Sequence, residues 1–230
     1  EGCGYVEEIH SNIFKYMVQS KGSKFEDIET LEQAKIVWAP IFQKYNQTKQ
    51  GLISEGYQFD SHEYDVFVRR GASNYFTTPD DELRTFLQSL PPHCRKIIFT
   101  NAPESSAQHI LELLGVDDLF EDTILGSDFM KNQVCKPNLQ AFQMVLDYLN
   151  VPPSRICYFE DSYKNLVAGK QLGFQTVFVK SPTMSLEGIA ESDLEQFDAV
   201  VETKVGMSLR PQMPHLWENN NGNGDTVTSN

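Results

Sequence analysis

"RICYFEDSYKN", residues 155–165, starts as an apolar run of strand character and ends on two adjacent carboxylates, Glu160 and Asp161. Like charges side by side at the tip of a buried strand are costly unless something positive sits against them. Acids in that position either ligate a hard cation or cap the helix that follows. Mg²⁺ takes one or two carboxylates together with water and substrate oxygen. Ser162 and Asn165 follow closely enough to orient those carboxylates from behind. The tripeptide "FED" occurs again at residues 120–122, but there it follows "LLGVDDL" and reads as a solvated loop. Position, not composition, separates this copy, like a third at residues 25–27, from the one at the strand tip.

Outward from this stretch, the second half of the chain alternates short β-rich runs with helices. "KIIFT" (96–100), "DTILG" (122–126), "RICYF" (155–159), "QTVFV" (175–179) and "DAVVE" (198–202) read as strands. Between them lie a helix with Ala107, Ile110, Leu111 and Leu114 inward, stopped at Gly115, and one through Leu139, Phe142, Leu146 and Leu149. A third helix ends at Gly173. Strands alternating with helices imply right-handed βαβ units, an α/β fold with a parallel sheet covered on both faces.

From Val6 to about Leu90 the texture is helical instead. Val6, Ile9, Ile13 and Met17 share one face, and "LEQAKIVWAPIFQKY" and "SHEYDVFVRR" continue in kind. "TTPDDELRTFLQSL" predicts a helix with Thr78 as N-cap, Pro79 at the first helical position, and a stripe of Leu83, Phe86, Leu87 and Leu90. The organisation expected is a helical cap over 5–78, an α/β core over 79–217, and a disordered polar tail over 218–230, "ENNNGNGDTVTSN".

The 230 residues are 40% hydrophobic and 22% charged, as in globular proteins. A balance of 32 acidic to 19 basic residues, net −13, argues against nucleic acid or an anionic membrane as an extended partner. An anionic substrate therefore needs a local reversal of field, from a metal or a well-placed Lys. The four cysteines, Cys3, Cys94, Cys135 and Cys157, form no C-x-x-C pair. Reduced thiols and a cytoplasmic setting are expected. The opening "EGCGYVEEIH" has no Met and no signal-peptide pattern, and reads as a chain without its true N-terminus.

In open parallel sheets ligands gather at the carboxyl ends of the strands. Three polar groups fall there: Thr100, Asn101 and Ala102 after "KIIF", Lys136 in "VCKPN", and Glu160 with Asp161. A hydroxyl followed by backbone N–H groups entering a helix makes a cradle for phosphate oxygens, although "TNAPESS" also reads as a plain helix cap. Pro137 fixes the direction of the Lys136 ammonium. Together these make a phosphate-and-metal site.

"IIFTNA", "CKPNLQAF" and "YFEDSYKN" stand in the order and spacing of motifs II, III and IV of the haloacid dehalogenase-like (HAD) hydrolases, which the chain resembles from about Tyr5 to Trp217. "EGYQFDSHEYDVFVRRG", "LRTFLQSLPPHCRKIIFTNA" and "LRPQMPHLWE" further resemble the pyrimidine 5′-nucleotidase branch of fungi and plants. The resemblance implies a Rossmann-like core with a helical cap inserted after its first strand. It gives Thr100 and Asn101 to the phosphate and Lys136 to nucleophile and phosphate. Asp161 becomes a Mg²⁺ ligand, with Glu160 beside it.

The activity implied is Mg²⁺-dependent hydrolysis of a nucleoside 5′-monophosphate through an aspartyl-phosphate, the partner being a small phosphorylated metabolite. The alternatives are a sugar-phosphate phosphatase or phosphomutase, and a non-catalytic phosphate- or nucleotide-binding protein. One departure is plain. The family attacks phosphorus with the first Asp of a D-x-D at the end of its first core strand, and the 230 residues contain no such strand and motif. Asp60 and Asp65, in "FDSHEYD", belong to a helix start. The motif is expected just before Glu1, and the chain alone is expected to be inactive. Tyr45, Asn46, Gln47 and Thr48 offer polar groups for a base or sugar, although an ordinary connection suffices for them. Arg69 and Arg70 suit a helix C-terminus.

Overall fold

The computed structural model describes residues 3–20, 23–180, 188–202 and 205–218. Its first half is built of α1 (Tyr5–Gln19), α2 (Leu31–Tyr45), α3 (Thr48–Ser54) and α4 (Ser61–Arg69). Local chemistry starts two of them. Thr30 and Gln33 form a reciprocal capping box at α2, and the Asp60 carboxylate accepts from the Glu63 N–H at α4. The helices close on Ile13, Tyr16, Met17, Phe25, Leu52, Tyr64 and Val68. Tyr16 meets Phe25, Phe59, Tyr64 and Phe67 edge to face. Gly51 lets α3 lie against α2, since a Cβ there would run into Ile41. Ile13 and Met17 are buried as the periodicity predicts, but Val6 is 42% exposed and lines a cavity.

Three parallel strands form the sheet, β1 (Cys157–Glu160), β2 (Gln175–Lys180) and β3 (Ala199–Glu202), in the order β1-β2-β3. Phe159 pairs with Val177, which pairs in turn with Ala199. The two-residue alternation divides the core. Val177, Ala199 and Val201 pack with Phe86 and Leu87 on one face, while Tyr158 and Phe178 pack with Phe142, Leu166 and Phe174 on the other. Phe86 and Leu87 come from α5 (Asp81–Ser89), Phe142 from α7 (Leu139–Leu149), Leu166 from α8 (Tyr163–Gln171) and Phe174 from the connection before β2, with α6 (Glu104–Leu114) between α5 and α7 in sequence. Leu194 of α9 (Glu191–Leu194) joins the Phe178 face and Leu209 of α10 (Val205–Gln212) joins the Val177 face. Gly115 ends α6 in the left-handed conformation, as expected.

Four expectations are corrected. "KIIFT" and "DTILG" are not full strands; they meet in one parallel bridge, Phe99 to Leu125, held by Leu125 N–H to Ile98 O (2.8 Å) and Thr100 N–H to Leu125 O (3.0 Å). Among the described residues their pairing does not continue in register beyond this bridge, so no ladder is propagated. Helix α5 is capped by Asp80, which accepts from Leu83 N–H at 2.8 Å, not by Thr78. A carboxylate at the N-cap satisfies the same orphan donor and favours the positive end of the helix dipole. Leu139 is exposed, the buried face of α7 running instead through Ala141, Phe142 and Val145. Val6, noted above, is the fourth. The tail over 219–230 lies outside the described residues. No helix among the described residues is long and apolar enough to cross a membrane.

Candidate functional site

The positive group that sits against Glu160 is Lys136. Alternation along β1 puts Tyr158 and Glu160 on one face, and Lys136 arrives there from the loop before α7. Its ammonium donates to Glu160 Oε2 at 2.6 Å and to the Phe99 carbonyl at 2.9 Å. It also lies 4.9 Å from the centre of the Phe99 ring and 5.5 Å from that of Tyr158. Both side chains of the pair are almost wholly withdrawn from water. The Tyr158 hydroxyl donates to the same Glu160 oxygen, and the Ser162 N–H donates to Oε1 at 3.1 Å. Burial, reinforced by the neighbouring Glu160 charge, pushes the Tyr158 hydroxyl well above its ordinary range, so it stays a donor.

The loops are locked to each other as firmly. Asn101 Oδ1 accepts from the Lys136 N–H at 2.8 Å while its Nδ2 donates to the Lys136 carbonyl at 3.0 Å. That amide side chain is thus occupied in fixing Lys136. Thr100 Oγ1 accepts from the Ala102 N–H at 3.1 Å, so the Ala102 amide expected in a phosphate cradle is turned back on Thr100. The simple cap reading of "TNAPESS" does not hold either, since α6 follows Pro103 with no side-chain cap. Instead Glu104 reaches sideways to the N–H groups of Gly126, Asp128 and Phe129.

The first-half helices also touch this place. Asn46 Nδ2 donates to the Lys136 carbonyl at 3.1 Å, and Gln47 Nε2 donates to the Asn101 carbonyl at 2.8 Å. Cys135 Sγ donates to the Tyr45 carbonyl. Thr48 is engaged with Trp38 Nε1 at 2.8 Å. Asn46 and Gln47 are therefore clasps between the two halves. Nothing but their clustering in one polar connection signals it in the chain.

Lys136 joins Asn101, Glu160 and the Phe99 carbonyl; Thr100 lies between Phe99 and Asn101 on the chain, and Asp161 and Ser162 follow Glu160. Among the described residues no group of three or more His, Cys, Asp or Glu side chains could hold a metal ion. What is present suits a hard cation in part. Glu160 is taken up by Lys136, Tyr158 and Ser162, and Asp161 follows it on the chain as the second carboxylate. Asn165 is buried at the first turn of α8, and its Oδ1 has no hydrogen-bond partner among the described residues. An orphaned buried oxygen of that kind fits the oxygen-rich surroundings of Mg²⁺.

A family model for haloacid dehalogenase-like hydrolases matches residues 6–173. The chain is 32% identical over 79 residues to a phosphorylated carbohydrates phosphatase of Thermotoga maritima, covering 34% of this chain and 35% of that protein. It is 29% identical over 97 residues to the validoxylamine A 7′-phosphate phosphatase of Streptomyces hygroscopicus subsp. limoneus, covering 42% and 44%. The chain thus spans less than half the length of these curated relatives. The crystal structure of a HAD phosphatase from Thermococcus onnurineus superposes with a TM-score of 0.58 at 14% identity, over 90% of this chain and 89% of the other. That likeness is one of fold.

Proposed function

The chain belongs to the haloacid dehalogenase-like hydrolases, and from that premise we propose that it serves a Mg²⁺-dependent phosphomonoester hydrolase acting on a nucleoside 5′-monophosphate, a pyrimidine one by its resemblance. The observation that carries this reading is the state of Lys136. An ammonium has three donors; among the described residues two are committed, to Glu160 and to the carbonyl of Phe99, the residue before Thr100, which leaves one in a fixed direction. A held cation beside a hydroxyl is what a phosphoryl dianion needs in an otherwise acidic molecule.

In this reading Lys136 neutralises the phosphate and Thr100 hydrogen-bonds one of its oxygens. Asn101 keeps Lys136 in place, and Glu160 fixes the ammonium's direction. Asp161 would hold Mg²⁺, with Ser162 and Asn165 orienting it; the ion supplies charge neutralisation for the phosphoryl oxygens. An aspartate is the attacking group, giving an aspartyl-phosphate that water then hydrolyses. We assign 5–78 to a substrate-covering cap and 79–217 to the core. Four free thiols suit a cytoplasmic setting. The relatives named above act on phosphorylated carbohydrates and on validoxylamine A 7′-phosphate, so sugar phosphates are the second reading.

The test joins this chain to whatever its gene encodes before Glu1 and follows phosphate release with Mg²⁺. Uridine, cytidine and adenosine 5′-monophosphates and glucose 6-phosphate form the panel. Fastest release from the pyrimidine nucleotides, lost in Lys136→Ala, is expected. Release from none of them, with no binding of inorganic phosphate, would end the reading; preference for glucose 6-phosphate would move it to the second.

A further inference from the structure

Two cavities adjoin the loop that carries Asn101, one of about 320 Å³ and one of about 230 Å³. Lys49, Asp65, Arg69 and Pro103 line both, and the smaller also reaches Asn101. Lys49, near the start of α3, donates to Asp65 Oδ2 in α4 at 2.6 Å, and the two side chains are 5% and 16% exposed. Among the described residues this is the only hydrogen bond of the Lys49 ammonium. Two of its three protons are left over, and so is most of the accepting capacity of Asp65. Burial raises the Asp65 carboxyl above its ordinary range even though Lys49 and Arg69 pull it down, so the ionised form is under-compensated and gains from another donor.

A leftover donor beside a leftover acceptor, facing a cavity, matches a group that both gives and takes a hydrogen bond. Two neighbouring hydroxyls match it best: one donates to Asp65 while the other accepts from Lys49. Asn101 ties the same cavity to the loop that fixes Lys136. We propose that the Lys49–Asp65 pair is a subsite for the leaving group of the substrate and selects a vicinal diol, carried either by the ribose of a nucleotide or by a sugar ring. The inference rests on the phosphatase reading for what lies at Lys136, and on the pair's own geometry for the diol. As a purely structural clamp between α3 and α4, the pair would show no preference among ligands.

Binding to the full chain tests it. Inorganic phosphate, uridine, 2′,3′-dideoxyuridine and methyl glucoside are titrated separately and followed by nuclear magnetic resonance. Wild type is compared with Lys49→Met/Asp65→Leu, which removes both charges at similar shape, and with Asp65→Asn, which decides should the double variant not melt cooperatively. Uridine or methyl glucoside should bind wild type and weaken roughly tenfold to a hundredfold in either variant. Dideoxyuridine should bind more weakly and alike in all three, and phosphate should be unchanged. Which diol ligand responds tells ribose from sugar ring. Absence of diol binding, dideoxyuridine binding wild type as well as uridine does, or equal diol binding by the variants would each overturn the subsite. Failure of phosphate to bind wild type would count against the phosphatase reading instead, the diol comparison standing by itself.

Discussion

Lys136 lies 2.6 Å from Glu160, Lys49 lies 2.6 Å from Asp65, and all four side chains are largely withdrawn from water. Around the first pair every strong group has further company: the Phe99 carbonyl, the Tyr158 hydroxyl, the Ser162 N–H and two aromatic rings. Around the second pair, among the described residues, the ammonium has the carboxylate alone. Buried ion pairs recover their desolvation cost only where such extra partners exist. The Lys136 pair is accordingly a fixed device, and its remaining donor has a defined direction. The Lys49 pair is incomplete as it stands, and the cavity beside it is where the completing partner belongs.

That contrast can be broken most forcefully at Lys136. Lys136→Met strands a buried carboxylate and a buried carbonyl, and should cost about 3–5 kcal/mol in urea unfolding. A change within experimental error would mean the pair is not buried as described. Lys49→Met should cost less, about 1–3 kcal/mol, because cavity water can reach Asp65. Replacing both members by Lys49→Met/Asp65→Leu should recover most of that loss, measured the same way. If Lys49→Met proves the costlier substitution, the two pairs have been ranked wrongly.

Asp198 offers a third carboxylate, well supplied with donors but partly exposed. Burial raises it, but the Thr176 N–H and hydroxyl, each at 2.8 Å, together with Lys170, outweigh that and hold it below its usual range. A carboxylate depressed in the fold contributes stability above its unfolded pKa and loses it as pH falls through the folded one. Asp198→Ala should therefore cost about 1 kcal/mol at neutral pH after screening by solvent. The gap to wild type should close below roughly pH 4; a gap that persists there would assign the loss to packing. Smallest of all, Arg84→Ala removes two bonds to Asp118, at 2.7 and 2.8 Å, and one to the Gly115 carbonyl, at 2.6 Å. This guanidinium stands in water, so its thermal midpoint in high salt should match wild type. A clear drop there would show that dressing matters even without burial.

How much of this was legible depended on range. Cys157–Glu160, Gln175–Lys180 and Ala199–Glu202 are written as short apolar runs, and the stripe Leu83, Phe86, Leu87, Leu90 faces the sheet as its spacing says. The meeting of Glu160 with Lys136 was readable because an acid at the tip of a buried strand needs a cation against it. "KIIFT" misled because an apolar run does not encode how far its pairing with a distant segment will continue in register. Asn101 holding Lys136 across 35 residues, and Lys49 meeting Asp65 across 16, are non-local and leave no periodic trace. One faint signal existed: Asp65 stands beside Tyr64 and three residues before Val68, on the shoulder of the apolar face of α4, where a carboxylate needs a partner.

The central claim, that Lys136 is held ready for a phosphate at the tip of β1, is tested most directly by calorimetric titration of inorganic phosphate into the full chain with Mg²⁺ present. Saturable binding by wild type that disappears in Lys136→Met, while Lys49→Met/Asp65→Leu binds normally, is the predicted result. Equal phosphate binding by wild type and a folded Lys136→Met, or no binding by wild type, would contradict it.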